Sequence, residues 1–247
     1  MFTPVSGRRL ADEVADQIKA NILSGALAIG DRLPPERELA KAFNMSPLVL
    51  REALHALEAH GLVKIRKGAA GGAFVVAPTH DVLSESLSTL LAFGRTSLDQ
   101  LTEARLVLEP EIAALAARRR SAKDVDALRV NLERSRNARL PRLKRRIENL
   151  QFHRLLAAIT GNPFLIASIN SIVDNLEHNI GKVGLEGRIV DDTVCYHDAL
   201  LAAIVDGDEH RAGTLMREHI QQIQGSLNHH GKPRSKQASL REGADGD

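Results

Sequence analysis

Asn149 and His153 stand four residues apart in a stretch of helical periodicity, so their side chains share one face. His197 and His219 fall in two later helical stretches. Neutral imidazole suits borderline metals, and an amide oxygen can coordinate beside it. A lone helical histidine is more often a hydrogen-bonded polar group than a ligand, and ten histidines are present. Arg105 precedes Glu109 by four residues, the spacing of a helical ion pair. The same guanidinium could instead clamp a carboxylate. Both readings stand on the sequence. A second group has different chemistry. Leu48, Arg51 and His55, at i, i+3 and i+7, lie on a helix face apart from the apolar Leu50, Leu54 and Leu57. Arg51 can bond guanine O6 and N7 together, or a phosphate, and Leu48 can meet a thymine methyl. Ser46 stands at a helix start, where its hydroxyl and the free backbone N–H groups suit a phosphate. His55 is read as facing solvent.

These groups need helices to hold them. Leu10, Val14, Ile18 and Ile22 form an i, i+4, i+8, i+12 row, one apolar helical face. Gly25 is a stop. Pro34 and Pro35 precede a short helix over 36–43, and Asn44 can adopt the left-handed turn that ends it. Ser46 then caps a third helix with Pro47 at its first position, and Gly61 closes it. Residues 62–66 and 73–76 are strand-like, joined by the Gly-rich stretch 67–72 as a hairpin. Three helices and a hairpin describe a winged helix-turn-helix over residues 1–78. Beyond it, caps and apolar stripes predict helices over 82–93, 97–119, 121–138, 141–161, 162–182, 188–205 and 208–227. The fold class is therefore mainly α: the winged unit, then an all-α antiparallel bundle of six or seven helices over 79–228. Residues 229–247 are polar and predict a disordered tail that includes His229 and His230.

Composition removes several classes. A chain of 247 residues fits one large or two modest domains. One cysteine, Cys195, excludes a disulfide framework and a multi-Cys zinc finger. No tryptophan, one tyrosine and six phenylalanines argue against an aromatic platform for single strands. No apolar run reaches the roughly 18–20 residues of a membrane span, and the first residues lack the apolar core of a signal peptide. A soluble, cytoplasmic chain with no membrane partner is expected. Basic and acidic residues nearly balance, 33 against 31, so local placement must decide any nucleic-acid partner. Arg8 and Arg9, ahead of the first helix, either touch a phosphate or stay solvated. The run Arg134, Arg136, Arg139, Arg142, Lys144, Arg145, Arg146 is more basic than the winged part. It is read as a solvated face, with phosphate contact as the other reading.

The stretch Ser24-Gly25-Ala26-Leu27 through Gly30-Asp31-Arg32-Leu33-Pro34-Pro35-Glu36-Arg37-Glu38-Leu39-Ala40 resembles the winged-helix signature of GntR-family transcription regulators. Leu50-Arg51-Glu52-Ala53-Leu54 and Gly71-Gly72-Ala73-Phe74-Val75 continue it. The second part resembles the helical FCD-type effector domain of the FadR branch. That likeness rests on Glu103-Ala104-Arg105-Leu106-Val107-Leu108-Glu109-Pro110, Phe152-His153, Thr160-Gly161-Asn162-Pro163, Tyr196-His197 and Met216-Arg217-Glu218-His219. The resemblance places DNA contacts on Arg37, Ser46 and Arg51 and on the wing at Arg66, Lys67 and Gly68. It expects an arginine after the serine, where this chain has Pro47. It also places a divalent metal, zinc or nickel, on Asn149, His153, His197 and His219. Aspartate is usual where Asn149 stands, so the oxygen ligand here is neutral. Arg105 matches an arginine that faces the effector cavity.

The resulting expectation is a ligand-responsive, DNA-binding regulator and not an enzyme. It would be a homodimeric repressor, released from a palindromic operator by a small carboxylate bound at or near the metal. Two rivals remain. One is a metal-dependent hydrolase, although no HExxH pattern is present. The other is a regulator for which the metal itself is the signal.

Overall fold

A computed structural model describes residues 10–68, 70–180 and 188–230. Arg8 and Arg9 lie outside them, as do residues 231–247 of the expected tail. The chain divides into two compact units, Met1–Thr89 and Leu90–Asp247.

The first unit holds α1 (Leu10–Leu23), α2 (Glu36–Ala42), α3 (Pro47–Ala59), β1 (Val63–Arg66) and β2 (Gly72–Val75). Val14 and Ile18 of α1 meet Leu50, Leu54 and Leu57 of α3, with Leu33, Val63 and Val75 closing the core. Leu10, expected to open the α1 row, is 61% exposed, because it sits at the helix start beyond the packed face. The turn between α2 and α3 depends on Asn44, at φ +52°, the one non-glycine in the left-handed region among the described residues. Ser46 Oγ then accepts from Val49 N–H and starts α3 with Pro47 in its first turn. The strands pair antiparallel, Val63 opposite Val75 and Arg66 opposite Gly72. In the wing between them, a Cβ on Gly71 would lie 2.3 Å from the Arg66 carbonyl oxygen, so no side chain fits there.

Helix α4 (Asp81–Ala92) follows, with no buried residue. The second unit is a bundle of α5 (Leu98–Arg119), α6 (Ala122–Arg136), α7 (Arg142–Ile159), α8 (Pro163–Ile180), α9 (Arg188–Asp206) and α10 (Glu209–His230). Reciprocal caps start two of them. Ser97 pairs with Gln100, and Ser121 with Asp124, each side chain serving the other's backbone. Asp208 Oδ1 accepts from Arg211 N–H at the start of α10. That helix reaches His230, so His229 and His230 belong to it and not to a tail. Ile112, Leu128, Leu132, Phe152, Leu156, Ile169, Val173, Leu200, Ile204 and Met216 form one continuous core, each 2% exposed or less. α5 packs along α10, and Gly213 lets the two approach: a Cβ there would stand 3.2 Å from the Pro110 carbonyl. α5, α7, α9 and α10 thus meet in the bundle interior, and these four carry the polar residues singled out above.

The α2–α3 turn sets the aim of α3, so its backbone can be tested directly. Asn44→Gly should leave stability unchanged or slightly raised, because glycine takes positive φ without strain. Asn44→Val should cost about 1–2 kcal/mol, the penalty of forcing a β-branched residue into that region. Urea denaturation of the full chain reads both.

Candidate functional site

Four side chains from three helices converge inside the bundle. α7 supplies Asn149 and His153, α9 supplies His197 and α10 supplies His219. None is more than 7% exposed. One ring nitrogen from each histidine lies within 4.8 Å of the others, close enough for the three to hold a metal ion. His197 Nε2 faces His219 Nε2 at 3.3 Å. Packing fixes the rings: Phe152 stacks on His197 at 4.1 Å between centroids, and His153 lies parallel to His219 at 5.4 Å. Phe152 adjoins His153 in sequence, so α7 contributes both one histidine of the trio and the plate that orients another.

The electrostatics favour ligation. Burial pushes His197 and His219 well below the ordinary histidine range, helped by His153 and Arg105 at His197 and by His197, His153 and Arg105 at His219. Both are therefore neutral near pH 7, the form that binds metal. Their Nδ1 atoms, together with Asn149 Oδ1, are buried without a hydrogen-bond partner. A buried polar atom left unpaired costs about 1–3 kcal/mol. The orphaned amide oxygen and the facing imidazoles fit a cation and give it neutral N and O donors.

A carboxylate joins this cluster that sequence reasoning treated only as the partner of Arg105. Glu109 is buried, and Arg105 Nε donates to its Oε1 at 2.5 Å. Its other oxygen, Oε2, accepts from His153 Nδ1 at 2.5 Å. Burial would raise the Glu109 carboxyl, but Arg105 and His153 outweigh it and hold the group well below the usual carboxylate range. An ionised carboxylate only accepts, so His153 carries its proton on Nδ1 and leaves Nε2 as the electron-pair donor. Arg105 Nη2 stands 3.4 and 3.3 Å from the two ring nitrogens, lying against the His153 ring instead of on one nitrogen. Of the two readings of Arg105, the structure has the ion pair. The signal for the third partner was absent, because Glu109 and His153 are 44 residues apart.

In the winged unit, Arg37, Lys41 and Ser46 line one open depression at the α2–α3 turn. Lys41, one turn after Arg37 on α2, was not singled out from sequence. Its i+4 spacing was the available signal. Arg51 is exposed and does not stand free: its Nε donates to Glu36 Oε2 at 2.8 Å. That bond engages Nε and not the terminal nitrogens. Leu48 is 66% exposed on the same helix. On the wing, the guanidinium carbon of Arg66 lies 4.5 Å over the centre of the Phe74 ring, while Lys67 and Gly68 are exposed. His55 is exposed and pairs with Glu58 at 3.5 Å, as a surface residue would.

Residues 10–75 match the family described as bacterial regulatory proteins, gntR family, and residues 100–222 match the FCD domain. The Exu regulon transcriptional regulator of Escherichia coli is 32% identical over 220 residues, which is 87% of this chain and 83% of that protein. The chain belongs to the GntR family. The Uxu operon transcriptional regulator of the same organism is 28% identical, over 92% of this chain and 90% of the relative. A solved GntR structure from Streptococcus agalactiae has the same fold, with a TM-score of 0.68, 24% identity and coverage of 87% of this chain and 99% of its own. This GntR-family chain is thus a transcription regulator with an FCD effector domain. Its relatives are regulators and not enzymes, and the hydrolase reading falls with them. No helix among the described residues is long and apolar enough to cross a membrane.

The Arg105–Glu109 pair predicts a sharp asymmetry. Glu109→Ala would leave a guanidinium buried and unpaired, and should cost about 3–5 kcal/mol. Arg105→Met with Glu109→Leu, which removes both charges, should recover most of that loss. Chemical denaturation of chelator-treated protein, variant beside wild type, distinguishes the two outcomes.

Proposed function

We propose that this chain is a homodimeric repressor that leaves a palindromic operator when a small carboxylate binds inside its helical unit. The observation that carries the reading is the buried His153, His197 and His219 trio beside the unpaired Asn149 oxygen. Such donors, all neutral, suit zinc or nickel. A divalent ion held there supplies a Lewis-acidic point that attracts carboxylate oxygens. The protein's own part is to orient and to exclude water. Glu109 fixes the His153 tautomer, Phe152 fixes the His197 ring, and the core around them is apolar. Arg105 spends Nε and Nη2 on Glu109, so only the remainder of its guanidinium can meet an effector.

The winged unit supports the DNA half of the reading. Ser46 and the first N–H groups of α3 suit a phosphate, with Arg37 and Lys41 beside them. Arg51, pre-oriented by Glu36, reads a base edge, and Leu48 meets a thymine methyl. Arg66, Lys67 and Gly68 carry the wing onto the backbone. Two such units on one palindrome require a dimer, and the effective concentration of the second unit raises the affinity of the first. Effector binding then needs only a differential affinity for two arrangements of the protein. A cytoplasmic location follows from this role.

Two variants test the two halves. Arg51→Ala should weaken operator binding by about 1–3 kcal/mol and relax the base preference at one position of each half-site. Anisotropy against DNA selected from a random pool reads it, and unchanged discrimination would remove Arg51 from the reading face. Asn149→Asp restores an anionic oxygen and should tighten zinc and nickel in calorimetry of chelator-stripped protein. Equal or weaker affinity would exclude residue 149 from the ligand set.

A further inference from the structure

Between residues 134 and 146 the chain carries seven basic residues and no acidic one. The whole chain is net +2, so everything outside these thirteen residues is net −5. The segment comprises the end of α6, the short connection and the first turns of α7. Part of its charge has a structural use. Arg136 pairs with Asp198, and Arg145 Nε donates to the Ser135 carbonyl at 2.9 Å. Arg146 is partly buried, and desolvation lowers its basicity. Arg134, Arg139, Arg142 and Lys144 have no such use. All four are exposed, and none has an ion pair among the described residues.

The position of these charges works against the helix that bears them. The backbone N–H groups give a helix start a partial positive charge, which acidic residues relieve and basic ones aggravate. α5 and α6 begin with a serine and its reciprocal Gln or Asp partner. α7 begins at Pro141 with no side-chain cap and no acidic residue in its first turn, and has Arg142 and Lys144 there instead. A merely soluble surface needs no such arrangement. Unrelieved positive charge, exposed and concentrated, is complementary to a polyanion.

We infer that this connection between α6 and α7 is a second, sequence-independent phosphate-binding surface, and that its partner is duplex DNA flanking the operator. The choice of DNA rests on the reading of the chain as an operator-binding regulator, because duplex DNA is the polyanion which that reading supplies. The winged unit supplies the contacts that tell bases apart. The α6–α7 connection adds affinity without discrimination, as phosphate contacts do.

The test uses the full chain and a long duplex containing the selected operator, with binding read by anisotropy from low to moderate potassium chloride. Each phosphate neutralised contributes about 0.9 to the slope of log affinity against log salt. The triple variant Arg139→Gln, Arg142→Gln, Lys144→Gln should lower that slope by about 2–3 and leave the ratio of operator to scrambled-sequence affinity unchanged. Arg139→Lys with Arg142→Lys should keep the wild-type slope, which separates charge from any effect on folding. Trimming the duplex to the operator itself should erase the difference between wild type and the triple variant. An unchanged slope in the triple variant would overturn the inference and leave the face solvated, while the operator reading stands. Wild-type protein that prefers no DNA sequence would overturn both.

Discussion

Glu109 can be carried into the bundle interior only because Arg105, one helical turn before it, is buried with it. A lone carboxylate in that apolar core would protonate, and a protonated Glu109 could not accept the His153 proton on one oxygen while facing Arg105 with the other. The pair therefore decides the state of the histidine. With Nδ1 committed to Glu109, His153 presents Nε2 as its electron-pair donor. The remaining rings are set by packing: His197 by Phe152, and His219 by the parallel His153. The site is thus continuous with the core, where Ile112, Phe152, Leu200 and Met216 of the same four helices are buried.

The same logic of one residue orienting another recurs in the winged unit. Glu36, in the first turn of α2, holds Arg51 of α3 by Nε. Both residues are about half exposed, so the pair adds little stability. Its effect is to limit where the guanidinium can point, which would lower the ordering cost of the proposed DNA contact. Phe74 does the same for Arg66 on the wing.

Much of the fold was legible in the sequence because its helix ends are written in local chemistry. Ser97 with Gln100, Ser121 with Asp124, and Asp208 each satisfy backbone groups within one turn, so their roles need no tertiary knowledge. Asn44 was recognisable as a left-handed turn for the same reason. The histidine trio was legible only through family resemblance, because 44 residues separate His153 from His197 and 22 separate His197 from His219. What escaped were contacts set by packing between elements. Glu109 on His153 and Glu36 on Arg51 join residues with no helical or strand spacing between them. Leu10 failed for the opposite reason: its spacing matches the row, but among the described residues nothing buries it at the start of α1.

The account joins a buried site in one unit to DNA affinity in the other. The direct measurement is operator affinity of the zinc-loaded full chain, with and without the carboxylate that most raises its melting temperature, in wild type and in His219→Ala. The account predicts that the carboxylate releases wild-type protein from the operator and leaves the variant bound. Equal release of both proteins, or release of neither, would contradict it.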